Sequence, residues 1–397
     1  MATQRCLLIV ADYPYVESGG RVFAEIPWDD AFARLYHDRF SHVLLLGRLR
    51  RASSTPPGWV AVDQRLFTVV DAGDWSSVGQ FLLNLPRLFA ALRGVWSQVG
   101  VLHCKLFYLN SVAAWVFNRL RSRDQRRPVA TLLVGDAAEA IILRDDLLPF
   151  PWMRTLASGL VAWIIRAIQR RVDIAGYVAQ FLVDKFDQGH NRTVVISESW
   201  LHDAQIHRHD RTRPRSPGTV LFVGRLIPRK RPRLLLEGVS RLTREGADLR
   251  CVFVGDGPER AALETLTRVL KLESRVRFVG WLGLLSPAML DAYDDADIFC
   301  LPSYAEGLPL VLVEAMGRGA AVIATQVSGT PEIVVHGRTG LLIPRDDVDA
   351  LAAAIRRYLS DPVLWRACID GGYDVAARYT FEAQRGMLAD AIGSLAS

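Results

Sequence analysis

Short apolar runs alternate with longer amphipathic stretches along this chain, and the alternation runs through it twice. In the first half "RCLLIVA", "SHVLLLG", "RLFTVV", "VGVLHCK" and "VATLLVG" read as strands, and in the second "TVLFVG", "RCVFVG", "RVRFVG", "DIFCLP" and "AAVIAT" do. Strand and helix taking turns means a parallel sheet with helices on both faces. At 397 residues the chain has room for two such doubly wound domains, each with its own core. Between them "HDAQIHRHDRTRPRSPG", residues 202–218, is polar and rich in Pro and Arg, the composition of a linker or hinge. The expected division is therefore a first domain over 1–205, a linker over 206–218 and a second domain from 219. Ligands of such sheets bind beyond the C-terminal ends of the strands, so two domains offer a cleft between two such edges.

The formal charge of +6 comes almost wholly from arginine, the only lysines being Lys105, Lys185, Lys230 and Lys271. That field suits an anionic substrate, an anionic membrane surface or nucleic acid, and does not choose among them. The arginines are dispersed and no nucleic-acid-binding motif occurs, so nucleic acid is set aside. Five scattered cysteines, mostly inside apolar runs, read as buried thiols in a reducing compartment. "CLLIVA" is too short for a signal-peptide core, and no run of uncharged apolar residues is long enough to span a bilayer. A cytoplasmic protein, with peripheral membrane contact left open, is the expectation.

The stretch "EGLPLVLVEAMGRGAAVIAT" places Glu306 just before a helix N-terminus and Glu314 inside that helix. Gly307 permits a turn, and Pro309 suits the first helical position. A helix start leaves N–H groups free and attracts an anion such as a diphosphate. Carboxylates beside a bound anion repel it unless they point at neutral donors, and sugar and ribose hydroxyls are such donors. The plainer alternative is that Glu306 favours the helix dipole and Glu314 pairs with an arginine. In "TVLFVGRLIPRKRPR" a strand ends at Gly224, and Arg225 and Lys230 follow at its mouth, where cations make strong bonds to phosphate oxygens. Arg229, Arg231 and Arg233 read as a solvated basic loop. "CVFVGDGPER" is a strand followed by a tight turn, and "RVRFVGWL" leaves Gly280 and Trp281 at the same sheet edge, where backbone groups can read a nucleobase.

Taken together, "VGRLIPRK", "FVGDGPER", "FVGWL", "LPSYAEGLPLVLVEAMGRGAAVIAT" and "VSGTPEIVVHGRTGLLIP" resemble, in the same order, the donor-binding domain of the family 4 retaining glycosyltransferases. The resemblance implies the GT-B fold, two Rossmann-like domains facing each other across a cleft. It implies that Glu306 lies by the donor sugar and that Glu314 binds ribose hydroxyls. The amides of Gly307, Leu308, Leu310 and Val311 line the donor, and Arg225 and Lys230 hold the diphosphate. The second domain ends at 378, and residues 379–397 resemble the family's last helix, which crosses back to the first domain.

The first half resembles the family less closely. "ADYPYVESGGRVFAE" corresponds to its Gly-rich loop after the first strand, which implies that Gly19 and Gly20 let the backbone approach the diphosphate. In "TLLVGDAAEA" Asp136 stands where many members place a histidine near the reacting centre, and it is expected to take over contact with sugar or acceptor. The cluster His202, His207, His209 and Asp210 matches no standard zinc spacing, and no metal or other cofactor is expected. "FPWMRTLASGLVAWIIRAIQRRV", Phe150 to Val172, reads as a core helix flanked by solvated arginines, with a helix lying on an anionic membrane as the alternative.

The resemblance implies a metal-independent hexosyltransferase that moves a sugar from a nucleotide-diphosphate donor to a hydroxyl of a glycan, lipid-linked or small-molecule acceptor, as in polysaccharide or glycolipid biosynthesis. Its catalytic set is Glu306, Asp136, Arg225 and Lys230. The alternatives are a nucleotide-sugar epimerase of the same two-domain shape and a non-catalytic nucleotide-sugar-binding protein.

Overall fold

The computed structural model describes residues 6–396 except 27, 29, 38, 57, 143–149 and 191, and for residue 37 the backbone only. Chain contacts divide it into two compact units, one made of residues 1–196 and 385–397, the other of residues 197–384.

The first unit runs β1 (Cys6–Ser18), β2 (Arg21–Ala24), α1 (Asp30–His37), β3 (Val43–Arg51), β4 (Val60–Ala61), β5 (Phe67–Asp71), α2 (Val78–Val95) and β6 (Val99–Leu106). It continues with α3 (Leu109–Leu120), β7 (Val129–Leu133), α4 (Ala137–Ile142), α5 (Pro151–Gln169), β8 (Ile174–Tyr177), α6 (Gln180–Phe186) and β9 (Thr193–Val195). These strands form one sheet in the order β4-β2-β1-β6-β7-β8-β9, with β3 pairing β1 and β5. Apart from β2 and β4 the pairings are parallel.

The sequence ends the first strand at Ala11, whereas β1 continues to Ser18 and folds back on β2. Pro14 breaks no ladder because it sits where the β1–β3 register shifts, the place a residue without an N–H is tolerated. Gly19 and Gly20, expected in a strand-to-helix loop, are instead the two central residues of this hairpin, with φ of +58° and +76°. Left-handed values at both positions define the tight turn whose twist matches antiparallel strands.

The second unit runs β10 (Gly218–Val223), α7 (Pro232–Arg244), β11 (Leu249–Val254), α8 (Arg260–Val269), β12 (Val276–Gly280), α9 (Pro287–Asp294), β13 (Ile298–Leu301) and α10 (Leu310–Gly317). Then come β14 (Ala321–Thr325), α11 (Thr330–Ile333), β15 (Leu341–Ile343), α12 (Val348–Ser360), α13 (Pro362–Arg378) and α14 (Phe381–Gly393), the last continuing into the first unit. Its six strands are all parallel, in the order β12-β11-β10-β13-β14-β15. Leu312, Val313, Ala315 and Met316 of α10 are buried in one core with the strands and with α12 and α13.

The segment expected as a free linker is packed onto the second unit. Asp297, fully buried, accepts hydrogen bonds from Arg211 Nη1 (2.7 Å), Arg215 Nε (3.2 Å) and the Thr219 amide (2.9 Å). The His207 amide donates to Gly317 O at 2.8 Å, and Arg366 Nη1 donates to His209 O at 2.6 Å. The histidines that suggested metal each have a structural partner: His202 with Glu382, His207 with Asp294, His209 with the Gly319 carbonyl. Burial between Arg211 and Arg366 keeps His209 below the usual histidine range.

A second correction concerns α5. Trp152 and Trp163, expected in a core helix, are 62% and 65% exposed. No described helix is long and apolar enough to cross a membrane. All five cysteines are buried and free.

Candidate active site

The order of the second sheet reverses between β10 and β13: β11 and β12 extend from β10 one way, β14 and β15 from β13 the other. In a parallel sheet the loops leaving such a pair diverge and open a crevice at their C-terminal ends. The candidate residues come from those loops.

On the β10 side the chain leaves Val223 through Gly224 and Arg225 into a short turn, Pro228–Lys230, before Pro232 opens α7. The loop is held by its neighbour after β11. The Leu226 amide donates to Asp256 O at 2.9 Å, and the Glu259 amide donates to Leu226 O at 3.0 Å. A side chain at Gly255 would come within 2.0 Å of Gly224 O, and one at Gly257 within 2.4 Å of Leu226 O. The glycines read from the sequence as a tight turn thus serve a close approach of two loops. Arg225 is exposed, and its guanidinium bonds no described residue.

On the β13 side the chain runs to Glu306, whose side chain is 7% exposed and whose Oε1 lies 2.6 Å from Lys230 Nζ. The loop after β14 fixes this turn: the Glu306 amide donates to Ser328 Oγ (3.4 Å) and the Gly329 amide to Gly307 O (3.1 Å). Pro309 is the N-cap, one position earlier than expected, and α10 begins at Leu310. The backbone from Gly307 to Val311 is half-buried apart from Pro309, which is buried. The first-turn amides of Leu310 and Val311 have no acceptor within their own helix and carry partial positive charge.

Glu314, four residues into α10, is buried, and Tyr293 Oη donates to its carboxylate at 2.7 Å. Burial pushes its pKa above the usual carboxylate range, and the tyrosine hydrogen bond opposes that shift in part. Burial also raises the Tyr293 hydroxyl, with the carboxylate adding to the effect.

Gly280 and Trp281 lie at the end of β12, two strands from β10, so roughly 10 Å along the edge at the usual strand spacing. Gly280 O accepts the Gly255 amide at 2.7 Å, and Trp281 is half-buried. Sequence reasoning missed Tyr293, Ser328 and Tyr304. The Tyr304 ring carries the guanidiniums of Arg231 and Arg345 at 5.3 and 5.0 Å, while Arg231 also pairs with Asp346 at 2.7 Å. Arg231, read as a solvated loop residue, therefore braces the turn that carries Lys230. The signal for Ser328 was present in the "VSGTPEIV" motif; nothing in the sequence marked Tyr293.

A separate hollow of 730 Å³ opens at the opposite, N-terminal edge of β10–β12, lined in part by Arg215 and Arg275. Those two arginines are already paired with Asp297 and Asp248.

In the first unit Asp136 caps α4: its Oδ1 accepts the Glu139 amide at 3.0 Å, and its Oδ2 pairs with Lys185. Gly19 and Gly20 occupy the exposed hairpin turn, with open space around both. Asp12, not singled out in the sequence, accepts the Leu109 and Asn110 amides (2.8 and 3.0 Å) and so caps α3 from the neighbouring strand. Burial pushes its pKa up to about 6 against the pull of those two amides and of Arg48.

Comparison with known proteins agrees with this geometry. Residues 217–361 match the family model of glycosyl transferases group 1. Residues 217–361 are therefore a group 1 glycosyltransferase domain, set within a chain of GT-B architecture. The alpha-D-kanosaminyltransferase of Streptomyces kanamyceticus is 32% identical over 172 residues, 43% of this chain and 44% of that one. The putative colanic acid biosynthesis glycosyltransferase WcaL of Salmonella typhimurium is 34% identical over 151 residues, 36% of this chain and 37% of that one. The chain thus spans under half the length of these curated relatives. The whole fold resembles sucrose-phosphate synthase from Thermosynechococcus elongatus, with a TM-score of 0.73 at 20% identity over 97% of both chains. It also resembles Anabaena HepE in complex with UDP and glucose, with a TM-score of 0.66 at 17% identity over 98% of this chain and 100% of that one.

Proposed function

We propose that this chain is a family 4 glycosyltransferase that moves a sugar from a nucleotide-diphosphate donor to an acceptor hydroxyl with retention of configuration and without a metal. The observation that carries the reading is the Lys230–Glu306 pair at the switch point, beside an uncommitted Arg225 and the free first-turn amides of α10. An anionic diphosphate there meets two cations and a helix start, and the neutral hydroxyls of sugar and ribose meet Glu306 and Glu314.

In the reaction the bond between the sugar's anomeric carbon and the β-phosphate oxygen breaks, and a bond from that carbon to the acceptor oxygen forms on the same face. The acceptor proton passes to the departing phosphate oxygen. Charge building on the diphosphate is stabilised by Arg225, Lys230 and the amides of Leu308, Leu310 and Val311, the task a metal performs elsewhere. Lys230 leaves Glu306 for the diphosphate, which frees the carboxylate for a sugar hydroxyl. Gly280 and Trp281 take the base, and the first domain, with Asp136, takes the acceptor. The acceptor is a glycan, a glycolipid or a small molecule, met from the cytoplasm.

The test offers UDP-, GDP- and ADP-sugars in a thermal-shift panel, since a ligand that binds only the folded state raises its melting temperature. Turnover of the binding donor is then followed with and without hydroxyl acceptors and with chelator. Nucleoside diphosphate released only with acceptor, and undiminished by chelator, supports the proposal. Conversion of the donor sugar without acceptor points to an epimerase, and binding without turnover points to a non-catalytic sensor.

A further inference from the structure

The side of α5 that faces solvent is apolar along three turns. Trp152, Leu156, Leu160 and Trp163 are 62%, 66%, 58% and 65% exposed. Spacings of four, four and three residues keep all four within one stripe of a helix with 3.6 residues per turn. Phe150, just ahead of the helix, is also exposed and stacks on Trp152 with ring centroids 6.4 Å apart. The helix is held to its unit by its other side, through Ser158, Ile165, Ile168 and Gln169. The stripe is thus surplus to the core.

The charges around the stripe say what covers it. No Asp or Glu occurs anywhere in α5. Arg166 follows Trp163 on the same side of the helix by the same angular count, and Arg170 and Arg171 follow at its C-terminal end. Their guanidiniums bond the Lys185 carbonyl, the Gln188 side-chain oxygen and the Ala167 carbonyl, and no described carboxylate neutralises them. An apolar stripe with a tryptophan near each end, continued by a run of unneutralised arginines, matches a bilayer surface: acyl chains beneath the rings, anionic headgroups at the guanidiniums. A water-filled surface would leave both features uncompensated.

We propose that α5 lies in the plane of an anionic membrane, with Trp152, Leu156, Leu160 and Trp163 at the acyl boundary and Arg166, Arg170 and Arg171 on the headgroups. The proposal stands apart from the transferase reading, and its test needs no donor or acceptor.

The full chain is mixed at low salt with vesicles of phosphatidylglycerol and phosphatidylcholine in equal parts, or of phosphatidylcholine alone, and floated on a density gradient. The protein floats with the anionic vesicles only, and salt releases part of it. Each arginine at the surface contributes about fivefold in partitioning, so Arg166→Glu/Arg170→Glu/Arg171→Glu lowers it by at least about a hundredfold. Trp152→Ser/Leu156→Ser/Trp163→Ser abolishes flotation with unchanged circular dichroism, since these side chains are outside the core. Helix α2 also exposes Val78, Leu82 and Leu83, and Leu82→Ser/Leu83→Ser serves as the control that leaves flotation intact. Absence from anionic vesicles at low salt, retention by the α5 triple serine variant, loss in the α2 control instead, or an α5-dependent dimer in solution that ignores lipid would each overturn the proposal.

Discussion

Lys230 Nζ lies 2.6 Å from Glu306 Oε1, and the two side chains reach each other from opposite sides of the point where the second sheet reverses its order. Both are largely buried, at 15% and 7% side-chain exposure, so each compensates a charge that water reaches poorly.

Lys230→Ala is expected to weaken donor binding by roughly 1.5–3 kcal/mol, the scale of a hydrogen bond to a charged group. Because it also strands the Glu306 carboxylate, it should cost about 3 kcal/mol of stability. Lys230→Met/Glu306→Gln removes both charges and should regain most of the stability without the affinity. Arg225→Ala, at an exposed site, should lose affinity alone. Denaturant unfolding beside calorimetric titration separates these outcomes, and an Arg225 variant with unaltered donor affinity removes that residue from the site.

The two glutamates should divide their labour. Glu314→Gln is expected to weaken any ribose-bearing nucleotide, whereas Glu306→Gln leaves bare nucleoside diphosphate binding nearly intact and impairs sugar transfer. Tyr293→Phe, which frees the Glu314 carboxylate to turn, should weaken nucleotide binding less than Glu314→Gln does. Equal loss of bare nucleotide in both glutamate variants contradicts the division.

Asp12 gives a pH signature in the first unit. Its pKa of about 6 in the folded chain stands above the ordinary 3.8, so the folded state holds the proton more tightly than the unfolded chain. Its contribution is full below the ordinary value and is lost as pH rises through about 6. Asp12→Asn removes the titration, so relative to wild type the variant should gain up to about 3 kcal/mol between acid and neutral pH. Melting curves of both proteins across that range decide it; a constant difference shows that Asp12 does not titrate there.

For Asp136 a cap and a catalytic contact predict different losses. As the cap of α4, Asp136→Ala should cost about 0.5–2 kcal/mol of stability while Asp136→Asn costs little. As an acceptor-side contact, Asp136→Asn should cut turnover with the melting temperature unmoved. Lys185→Met reports on the ion pair alone, and turnover equal to wild type in both Asp136→Asn and Lys185→Met assigns the pair to structure only.

The second domain was the more legible half because its strands are buried on both faces and read as continuous apolar runs, as "TVLFVG" and "AAVIAT" do. Its glutamates stood out because charge in and beside an apolar run is conspicuous. Tyr293 did not stand out, since it meets Glu314 only through the fold. In the first domain the continuation of β1 through "DYPYVES" was hidden by Pro14 and by its polar residues, and what fixes it is pairing with β2 and β3. The short β8, β9 and β15 carry too few residues for a period to show. Linker composition misled at 206–218 because two of its arginines, Arg211 and Arg215, are spent on one buried carboxylate, Asp297, far along the chain.

The ends of the second unit are tied together: the Ser197 amide donates to Gln384 Oε1 at 2.9 Å, and the Phe381 amide donates to Leu201 O at 2.6 Å. Topologically this is an insertion, a whole α/β module spliced into another whose own chain resumes only at Arg385. A module whose entry and exit lie side by side can be lifted out, transplanted or circularly permuted with a short joint, and a host that receives it need supply only one point of attachment. Exchange of donor modules between chains of this architecture therefore has a natural pair of cut sites, after Ile196 and after Gln384, rather than one in the arginine-rich stretch that composition suggests.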